Sequence, residues 1–246
     1  MELLRTDKIT KSYQSRQIIR DISFRLEEGE FVSLLGLSGS GKTTLLNIIS
    51  GLVQPDSGKV YLDGEDITGR PGNISYMLQK DLLLEHKRVI DNVALPLILK
   101  GMPRKEAREQ ADPYFAQFDL DGTQMLYPSA LSGGMRQRAA LLRTYLSSKG
   151  LILLDEPFSA LDMITRSQMH DWYLDMTKKI RLSTILITHD ADEAILLSDR
   201  ICLLTGTPGE IRHEIRIDVP RGERAEFALR PEFIDYKRQI RELLLT

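Results

Sequence analysis

The pattern of hydrophobic and polar positions predicts two strands near the start of the chain, then a buried strand and a helix. Short apolar runs broken by polar turns predict strands at 8–13 and 18–26. The brief apolar run at 31–35 predicts a buried strand, and residues 43–50 predict a helix that stops at Gly51. The first part of the chain therefore ends in the order strand, loop, helix.

Later apolar runs predict two more buried strands, at 151–154 and 184–188. A helix is predicted between them because four large side chains recur at i, i+3, i+4 and i+7: Met169, Trp172, Tyr173 and Met176. We interpret this stripe as core packing. Strands that alternate with helices indicate an α/β fold with a mainly parallel sheet covered on both faces.

Two other regions have a different pattern. Residues 81–148 are polar, contain no strand-like run and are divided by three prolines, which predicts a helical insertion beside the sheet core. After Thr207, apolar residues at 215, 217 and 219 alternate with charged ones, as in a half-exposed strand. A closing helix is predicted from about Pro231 to Leu245.

Composition narrows the class of protein. With 246 residues, 42% of them hydrophobic and 28% charged, the chain is expected to be globular rather than disordered or collagen-like. A net charge of −2 gives no basic excess, so nucleic acid is not an expected partner. A lone cysteine, Cys202, indicates a reducing compartment. The chain has no signal-peptide core and no apolar stretch near the ~20 residues that span a bilayer, so at a membrane another chain would span it.

Residues 36–43 read G-L-S-G-S-G-K-T, which matches the phosphate-loop pattern G-x-x-x-x-G-K-[ST]. Glycines allow backbone N–H groups and the following helix N-terminus to approach phosphates closely. Lys42 is expected to reach the β and γ oxygens, Thr43 to ligate Mg²⁺ and Thr44 to hydrogen-bond the α-phosphate. The alternative is a chance Gly/Ser turn, but the motif's position between a predicted strand and a predicted helix favours nucleotide binding. The residues assigned to this site are Gly36, Ser38, Gly39, Ser40, Gly41, Lys42, Thr43 and Thr44.

Two carboxylates, Asp155 and Glu156, follow the strand predicted at 151–154. In an open parallel sheet this is the edge at which ligands bind. Asp155 suits the Mg²⁺ shell, and Glu156 could polarise an attacking water. Acidic residues also end strands simply because the chain has reached solvent, but a phosphate loop in the same chain favours the catalytic interpretation.

A second anion site is predicted at 131–138, which reads L-S-G-G-M-R-Q-R. Ser132 is a good N-cap for a helix whose apolar face is marked by residues 135, 139, 142 and 146. Two glycines in a first turn destabilise a helix, and they make sense if an anion must approach its N–H groups closely. A glycine-softened helix start is the alternative, which explains the helix but not the pair of glycines.

Together, the phosphate loop, residues 131–138 and Asp155-Glu156-Pro157 resemble the ATP-binding subunits of ABC transporters. The resemblance covers nearly the whole chain, in the family's order. It implies one nucleotide-binding domain, 1–246, with a P-loop (RecA-like) α/β fold around a mostly parallel sheet core. It further implies an N-terminal antiparallel β subdomain, a helical insertion subdomain at about 81–148 and a C-terminal strand and helix extension at about 207–246.

The same resemblance assigns further residues. Gln79 matches the Q-loop glutamine, which touches Mg²⁺ and the water and faces the membrane subunit. His189 matches the switch histidine that contacts the γ-phosphate, and Tyr13 the aromatic residue that stacks on adenine. Catalysis is therefore expected from Glu156, His189 and Gln79, and Mg²⁺ binding from Thr43, Gln79 and Asp155. The D-loop is expected at Ser159, Ala160, Leu161 and Asp162, and the signature contacts to a partner chain's ATP at Leu131, Ser132, Gly133, Gly134 and Gln137.

Within the family, the D-x-x-E-A pattern at 190–194 and the tail from Asp218 to Phe233 are similar to those of nitrate, sulfonate, taurine and pyrimidine-precursor importers. One segment departs from that subgroup, because Glu85-His86 stand where relatives usually carry Pro-Trp. Since that segment faces the membrane partner in the family, the departure leaves the partner and the cargo open.

The resemblance implies an ATP hydrolase that binds ATP and Mg²⁺ and works as a head-to-tail pair at the cytoplasmic face of a membrane. The expected partners are a second ATPase subunit, integral membrane permease subunits and, indirectly, an extracytoplasmic solute-binding protein. A second copy of the chain is the expected ATPase partner, with a paralogue as the alternative. A soluble ABC ATPase without a transporter, such as an iron–sulfur assembly type, shares every catalytic residue. A small-molecule kinase would leave 131–138 and His189 unexplained.

Overall fold

The computed structural model describes residues 1–180 and 182–244, which form two compact units. Unit 1 comprises Met1–Ile74 and the described residues after 181, and unit 2 comprises Ser75–Ile180. Among the described residues, no helix combines the length and the apolar character needed to cross a membrane.

The strands are β1 (Glu2–Tyr13), β2 (Arg16–Glu27), β3 (Phe31–Leu35), β4 (Ser57–Leu62), β5 (Glu65–Asp66), β6 (Ser75–Met77), β7 (Leu151–Asp155), β8 (Ser183–Thr188), β9 (Arg200–Thr205) and β10 (Glu210–Arg216). The helices are α1 (Lys42–Ile49), α2 (Val89–Val93), α3 (Leu95–Leu99), α4 (Arg104–Ala111), α5 (Pro113–Gln117), α6 (Gly133–Ser147), α7 (Met163–Lys179), α8 (Ala191–Leu197), α9 (Arg224–Phe227) and α10 (Pro231–Leu244). Short 3₁₀ turns lie at Pro128–Ala130 and Arg221–Glu223.

Unit 1 contains an antiparallel sheet and a mostly parallel set of strands. The antiparallel sheet has the strand order β2-β1-β4-β5. The second set has the order β10-β9-β3-β8, in which β3 runs parallel to β8 and β9, and β10 is antiparallel to β9. All five residues of β3 are buried, which explains why four of them are apolar. The pair Leu35 and Thr188 brings the carboxyl ends of β3 and β8 to one edge.

Unit 2 pairs the parallel strands β6 and β7, and its other regular elements among the described residues are helices joined by loops. Every residue of β7 is buried. The predicted stripe on α7 is core, since all four of its members are buried: Met169, Trp172, Tyr173 and Met176. Each predicted proline breakpoint coincides with a helix start, with Pro96 and Pro113 in first turns and Pro103 at the N-cap of α4.

The α/β class is as predicted. So are the strand and helix on either side of the phosphate loop, the helix that follows Ser132 and the strand that ends at Asp155. The N-terminal strands are longer than expected, because β1 begins at Glu2 with buried Leu3 and Leu4. The C-terminal strand ends earlier, at Arg216. Ile217 is buried but donates its N–H to the Asp199 carbonyl at 3.0 Å, outside the ladder of β10 with β9. Helix α10 begins at Pro231 as predicted, and Leu245 lies outside the described residues.

A buried carboxylate joins helices α2 and α4 in the region 81–148. Asp91 in α2 is almost fully buried and accepts two hydrogen bonds from Arg104, at 2.9 and 2.7 Å, and two from Arg108, both at 2.8 Å. Each guanidinium thus presents a bidentate fork to the same carboxylate. The hydrogen bonds from Arg108, with those from Arg104, hold the pKa of Asp91 well below its usual 3.8.

Replacing this carboxylate is expected to destabilise the protein. Asp91→Asn removes the charge while keeping the shape, and should lower the free energy of unfolding by about 2 kcal/mol at pH 7. Because the folded pKa is lowered, the contribution of Asp91 is complete above about pH 4 and is lost as pH falls toward the folded value. Urea unfolding at several pH values measures both effects. The exposed Asp112→Asn serves as control, and equal stability of Asp91→Asn and wild type at pH 7 would contradict the assignment.

Candidate nucleotide-binding site

The phosphate loop lies in unit 1 between the buried strand β3 and helix α1, in the predicted order. Gly41 is the N-cap residue of α1 and has φ +95°, and Gly39 has φ +82°. Both values fall in the left-handed region that glycine adopts without strain. The loop therefore curls so that the first-turn N–H groups of α1, which have no partner within a helix, open at its end.

The three glycines of the loop, Gly36, Gly39 and Gly41, are required for different reasons. A Cβ on Gly36 would overlap the carbonyl oxygen of Leu204, and one on Gly41 would overlap Ile19. These two glycines let the loop pack against β9 and β2. An added Cβ on Gly39 would meet nothing within 4 Å, so its side faces open space. Close approach of a phosphate is therefore a reason for glycine at 39, whereas packing already requires it at 36 and 41.

The inner groups of the loop fit an anion. The Lys42 ammonium donates to the carbonyls of Gly36 and Leu37, both at 2.8 Å, which holds it within the curve of the loop. Ser40 Oγ is buried and, among the described residues, has no hydrogen-bond partner. A cation, a hydroxyl with spare donor capacity and a helix N-terminus in one loop suit the phosphates of a nucleotide.

His189 leaves the same edge of unit 1 as the phosphate loop. It directly follows β8, whose carboxyl end is paired with that of β3, and its side chain is exposed. The next residue, Asp190, caps α8 by accepting from the backbone N–H groups of Asp192 at 2.8 Å and Glu193 at 3.3 Å. The cap fixes the start of α8 and with it the position of the histidine backbone.

Tyr13 ends β1 with its ring partly exposed, and the Lys11 ammonium lies 5.6 Å from the ring centroid. An exposed aromatic face beside a cation is compatible with stacking on a base. The role of Tyr13 toward adenine stays a prediction.

Unit 2 carries the acidic pair. Asp155 ends β7, is largely buried, and accepts a hydrogen bond from the Tyr76 hydroxyl at 3.1 Å. Burial, and then the charge of Asp155, raise the pKa of Tyr76, so its hydroxyl remains a donor at neutral pH. Tyr76 orients the carboxylate. Nothing in the sequence pattern singled it out, because its neighbour in space is 79 residues away along the chain.

Glu156 has an unusual backbone, with φ +46°, in the left-handed region that non-glycine residues rarely adopt. Such strain costs of order 1 kcal/mol and tends to occur at functional positions. The Glu156 carbonyl accepts from Ser159 through its N–H at 3.2 Å and its hydroxyl at 2.8 Å, which closes the turn that holds this conformation. Gln79 donates to the same Ser159 hydroxyl at 3.3 Å. Unit 2 therefore brings Gln79, Glu156 and the D-loop serine together.

Three of the five predicted signature residues, Ser132, Gly133 and Gly134, line a cleft of about 490 Å³ in unit 2, which we call the signature cleft. Ser132 caps α6, accepting from the Met135 N–H at 3.3 Å, as predicted. Helix α6 and the D-loop line the cleft together: Ser132, Gly133, Gly134, Ala160, Leu161 and Asp162. A Cβ on Gly134 would lie 3.3 Å from a Thr165 methyl, so close packing on α7 is a second reason for glycine here.

The predicted D-loop residue Asp162 and the remaining predicted signature residues, Gln137 and Leu131, have different surroundings. Asp162 caps α7 and accepts from the Thr165 hydroxyl at 2.6 Å, and the hydrogen bonds from Thr165 hold the pKa of Asp162 below its usual value. Gln137 is buried, and its Oε1 has no hydrogen-bond partner in the described part of the chain. Leu131 is buried just before the cap.

Glu85, one of the two residues at which the sequence differs from the Pro-Trp of similar importers, takes part in an ion pair. Arg136 on α6 donates to Asp81 at 2.9 and 3.1 Å and to Glu85 at 2.7 Å. The segment after Gln79 is thus tied to the first turns of the signature helix by ion pairs. Sequence reasoning missed Arg136, and its spacing of 51 residues from Glu85 gives no local signal.

Known proteins resemble the chain along its length. Residues 19–159 match the family described as ABC transporter. The formylaminopyrimidine import ATP-binding protein ThiZ of Halalkalibacterium halodurans is 41% identical over 247 residues, covering 99% of this chain and 97% of the relative. The nitrate import ATP-binding protein NrtD of Synechocystis is 37% identical, covering 92% of this chain and 87% of the relative.

A solved structure shows the same fold. The ATP-binding cassette MJ0796, a dimer in a post-hydrolysis state bound to ADP and Pi, superposes with a TM-score of 0.74 at 30% identity, covering 89% of this chain and all of that one. The fold class and the family predicted from the motifs are confirmed. On these matches, the chain belongs to the ABC transporter family, as one of its ATP-binding, ATP-hydrolysing subunits.

Proposed function

We propose that the chain is the ATPase subunit of an importer, and that two copies close head to tail around two Mg-ATP. The observation that carries this proposal is the signature cleft, a capped helix N-terminus on unit 2 that opens beside the D-loop. One chain holds one phosphate loop and one such cleft, so a two-fold pair supplies two complete sites. Each ATP would lie between Lys42 of one copy and Ser132 and Gly134 of the other.

Within one copy the phosphates are held by the first-turn amides of α1, the Lys42 ammonium and the hydroxyls of Ser40 and Thr44. Residues that would hold Mg²⁺ are Thr43, Gln79 and Asp155, whose hydroxyl, amide and carboxylate oxygens are the donors this ion prefers. Bound Mg²⁺ neutralises negative charge on the phosphate oxygens. The hydrogen bond from Tyr76 supports the Asp155 assignment, because it fixes the direction of the carboxylate.

For the chemical step, Glu156 accepts a proton from the attacking water, and His189 contacts the γ-phosphate. The strained Glu156 backbone and its closed turn support this role, since a general base must be held in one geometry. Gln79 shares Ser159 with that turn, which supports a role for Gln79 in sensing the state of the site. Tyr13 stacks on the adenine.

The names of the relatives support an inference about the partners and the transported solute. Their printed functions are import of formylaminopyrimidine, nitrate and taurine, which favours an importer over a soluble ABC ATPase. We therefore infer membrane permease subunits, a solute-binding protein acting on them from the far side, and a place at the cytoplasmic face of the membrane. Gln79 and the helical subdomain, about 81–148, would face the permease, and the extension at about 207–246 completes the domain. The cargo belongs to the same class of small polar solutes.

Recovery of partners from the native cell tests this assignment. A tagged chain purified in mild detergent is expected to bring down a multi-spanning membrane subunit. A soluble cluster-assembly protein in its place would reverse the choice between importer and soluble ATPase.

Removing the loop ammonium is expected to weaken nucleotide binding itself. Lys42→Ala deletes a charge-assisted contact to the phosphates and should raise the dissociation constant for ATP at least about tenfold. Fluorescent-nucleotide titration measures it, with the exposed Lys105→Ala as a control that removes the same charge elsewhere. Unchanged affinity in Lys42→Ala would count against the phosphate-loop assignment.

Removing the proposed base should separate binding from hydrolysis. Glu156→Gln keeps the shape and is expected to bind ATP normally, to hydrolyse it at least ~10²-fold more slowly (about 2.7 kcal/mol of barrier) and to accumulate an ATP-bound dimer. Phosphate release and size-exclusion chromatography with light scattering provide the two readouts. The exposed Glu109→Gln should behave as wild type, and near-normal turnover in Glu156→Gln would exclude Glu156 as the base.

Blocking the signature cleft should prevent closure of the dimer without affecting ATP binding by each monomer. Ser132→Arg fills the cleft entrance, so in the Glu156→Gln background the ATP-induced dimer should disappear while each monomer still binds ATP. Loss of the N-cap costs about 1 kcal/mol, and Ser132→Ala has the same loss without the bulk. Loss of monomer binding in Ser132→Arg, with Ser132→Ala intact, would refute the two-chain geometry.

A further inference from the structure

An apolar cleft on unit 1 adjoins the phosphate loop. Helix α10 forms one wall, and the loop and the start of α8 form the rest, enclosing about 670 Å³. Its apolar lining residues are Leu37, Ala191, Ile234, Ile240 and Leu244. We call this surface the α10 cleft. Leu37 is 63% exposed and Ile234 is 58% exposed, an unusual state for two aliphatic side chains that border one surface.

The wall of the α10 cleft is fixed. Phe233 and Ile240 are buried and anchor α10 in the fold, and the Phe233 ring packs edge-on against Phe227 with centroids 5.5 Å apart. Lys237 pairs with Asp192 on α8 at 2.7 Å. The cleft is therefore a formed feature of the fold, since both of its helical walls are held by packing and by an ion pair.

A second exposed apolar pair lies on unit 2. Met163 and Ile164 are the first two residues of α7 and are 81% and 66% exposed. They directly follow Asp162, which lines the signature cleft. Whatever surface meets the signature cleft therefore also lies next to Met163 and Ile164.

The two patches are complementary in a head-to-tail dimer. This step rests on the proposed function, which brings the partner's signature cleft onto the phosphate loop. Because Leu37 belongs to that loop and also lines the α10 cleft, the partner's α7 start would arrive beside the cleft. We propose that Met163 and Ile164 of a second copy insert into the α10 cleft, so that the C-terminal helix extends the ATP-dependent dimer interface.

Charge is consistent with this occupant. The cationic residues Lys237, Arg238 and Arg241 line the cleft, and the residue before Met163 is an aspartate. An apolar insertion flanked by a carboxylate thus meets an apolar cleft flanked by guanidinium groups, a pattern that favours this pairing over two like surfaces.

Cysteine cross-linking tests the contact directly. The chain has one cysteine, Cys202, which is buried, so introduced cysteines react selectively. In the Glu156→Gln background, chains with Ile234→Cys are mixed with differently tagged chains with Met163→Cys, and a short bismaleimide is added. We expect a cross-linked heterodimer of the two tags that depends on ATP. Leu229→Cys, at a position that is 91% exposed and outside the cleft, should give none with the same partner.

Dimer affinity provides the second readout. Ile234→Asp should raise the dissociation constant of the ATP-bound dimer at least about tenfold, because a charge would enter an apolar contact, while Leu229→Asp should leave it unchanged. A dimer that forms without the cross-link and tolerates Ile234→Asp would overturn this inference and leave the proposed function standing. Absence of any ATP-bound dimer in Glu156→Gln would overturn both.

Accessibility of the thiol in the Ile234→Cys variant tests whether the α10 cleft is covered by a second copy when ATP is bound. A second copy seated on the α10 cleft should slow the reaction of this thiol with a maleimide when ATP is present. Equal labelling with and without ATP would contradict the second copy as occupant.

Discussion

A triphosphate concentrates several negative charges in a small volume, and a protein binds it by directing many N–H groups and a cation at it. That electrostatic requirement explains the phosphate loop of unit 1. The backbone must curl, so Gly39 and Gly41 adopt left-handed conformations, and the Lys42 ammonium lies within the curve. The buried Ser40 hydroxyl, without a partner among the described residues, adds donor capacity. The conformation of Gly39 and the unused donor of Ser40 are therefore explained by the phosphates of a bound nucleotide, and not by contacts within the described part of the protein.

The need to bind a negatively charged group also explains the start of the signature helix, α6, but there the same residues are needed for packing as well. The paired glycines at 133 and 134 permit close approach to the N-terminus of α6, and Gly134 also leaves room for α7, because a Cβ at this position would lie 3.3 Å from a Thr165 methyl. Ser132 completes the cap. A residue chosen for an anion and a residue chosen for packing cannot be told apart in a sequence, because both requirements select glycine.

Local signals predicted most of the fold. Buried strands such as β3 and β7 and the α7 stripe follow from runs and spacings within a few residues, and the structure contains them close to the predicted bounds. The short strands β4, β5 and β6 were not predicted, because they are half-exposed or very short and owe their form to the strands beside them. Motifs likewise gave the candidate site residues, including Ser159, whereas Tyr76, which donates to Asp155, belongs to no motif and lies 79 residues from its partner along the chain.

The ties of Arg136 have a consequence for how such subunits change partners. Its guanidinium binds Asp81 and Glu85 together, so the loop after Gln79 and the signature helix form one mechanical piece. A substitution in this loop would therefore also affect the helix, unless position 136 changes with it. Substitutions at 85 and 136 should be correlated among relatives, and exchanging the loop alone between related subunits would remove the ion pairs that hold it to α6.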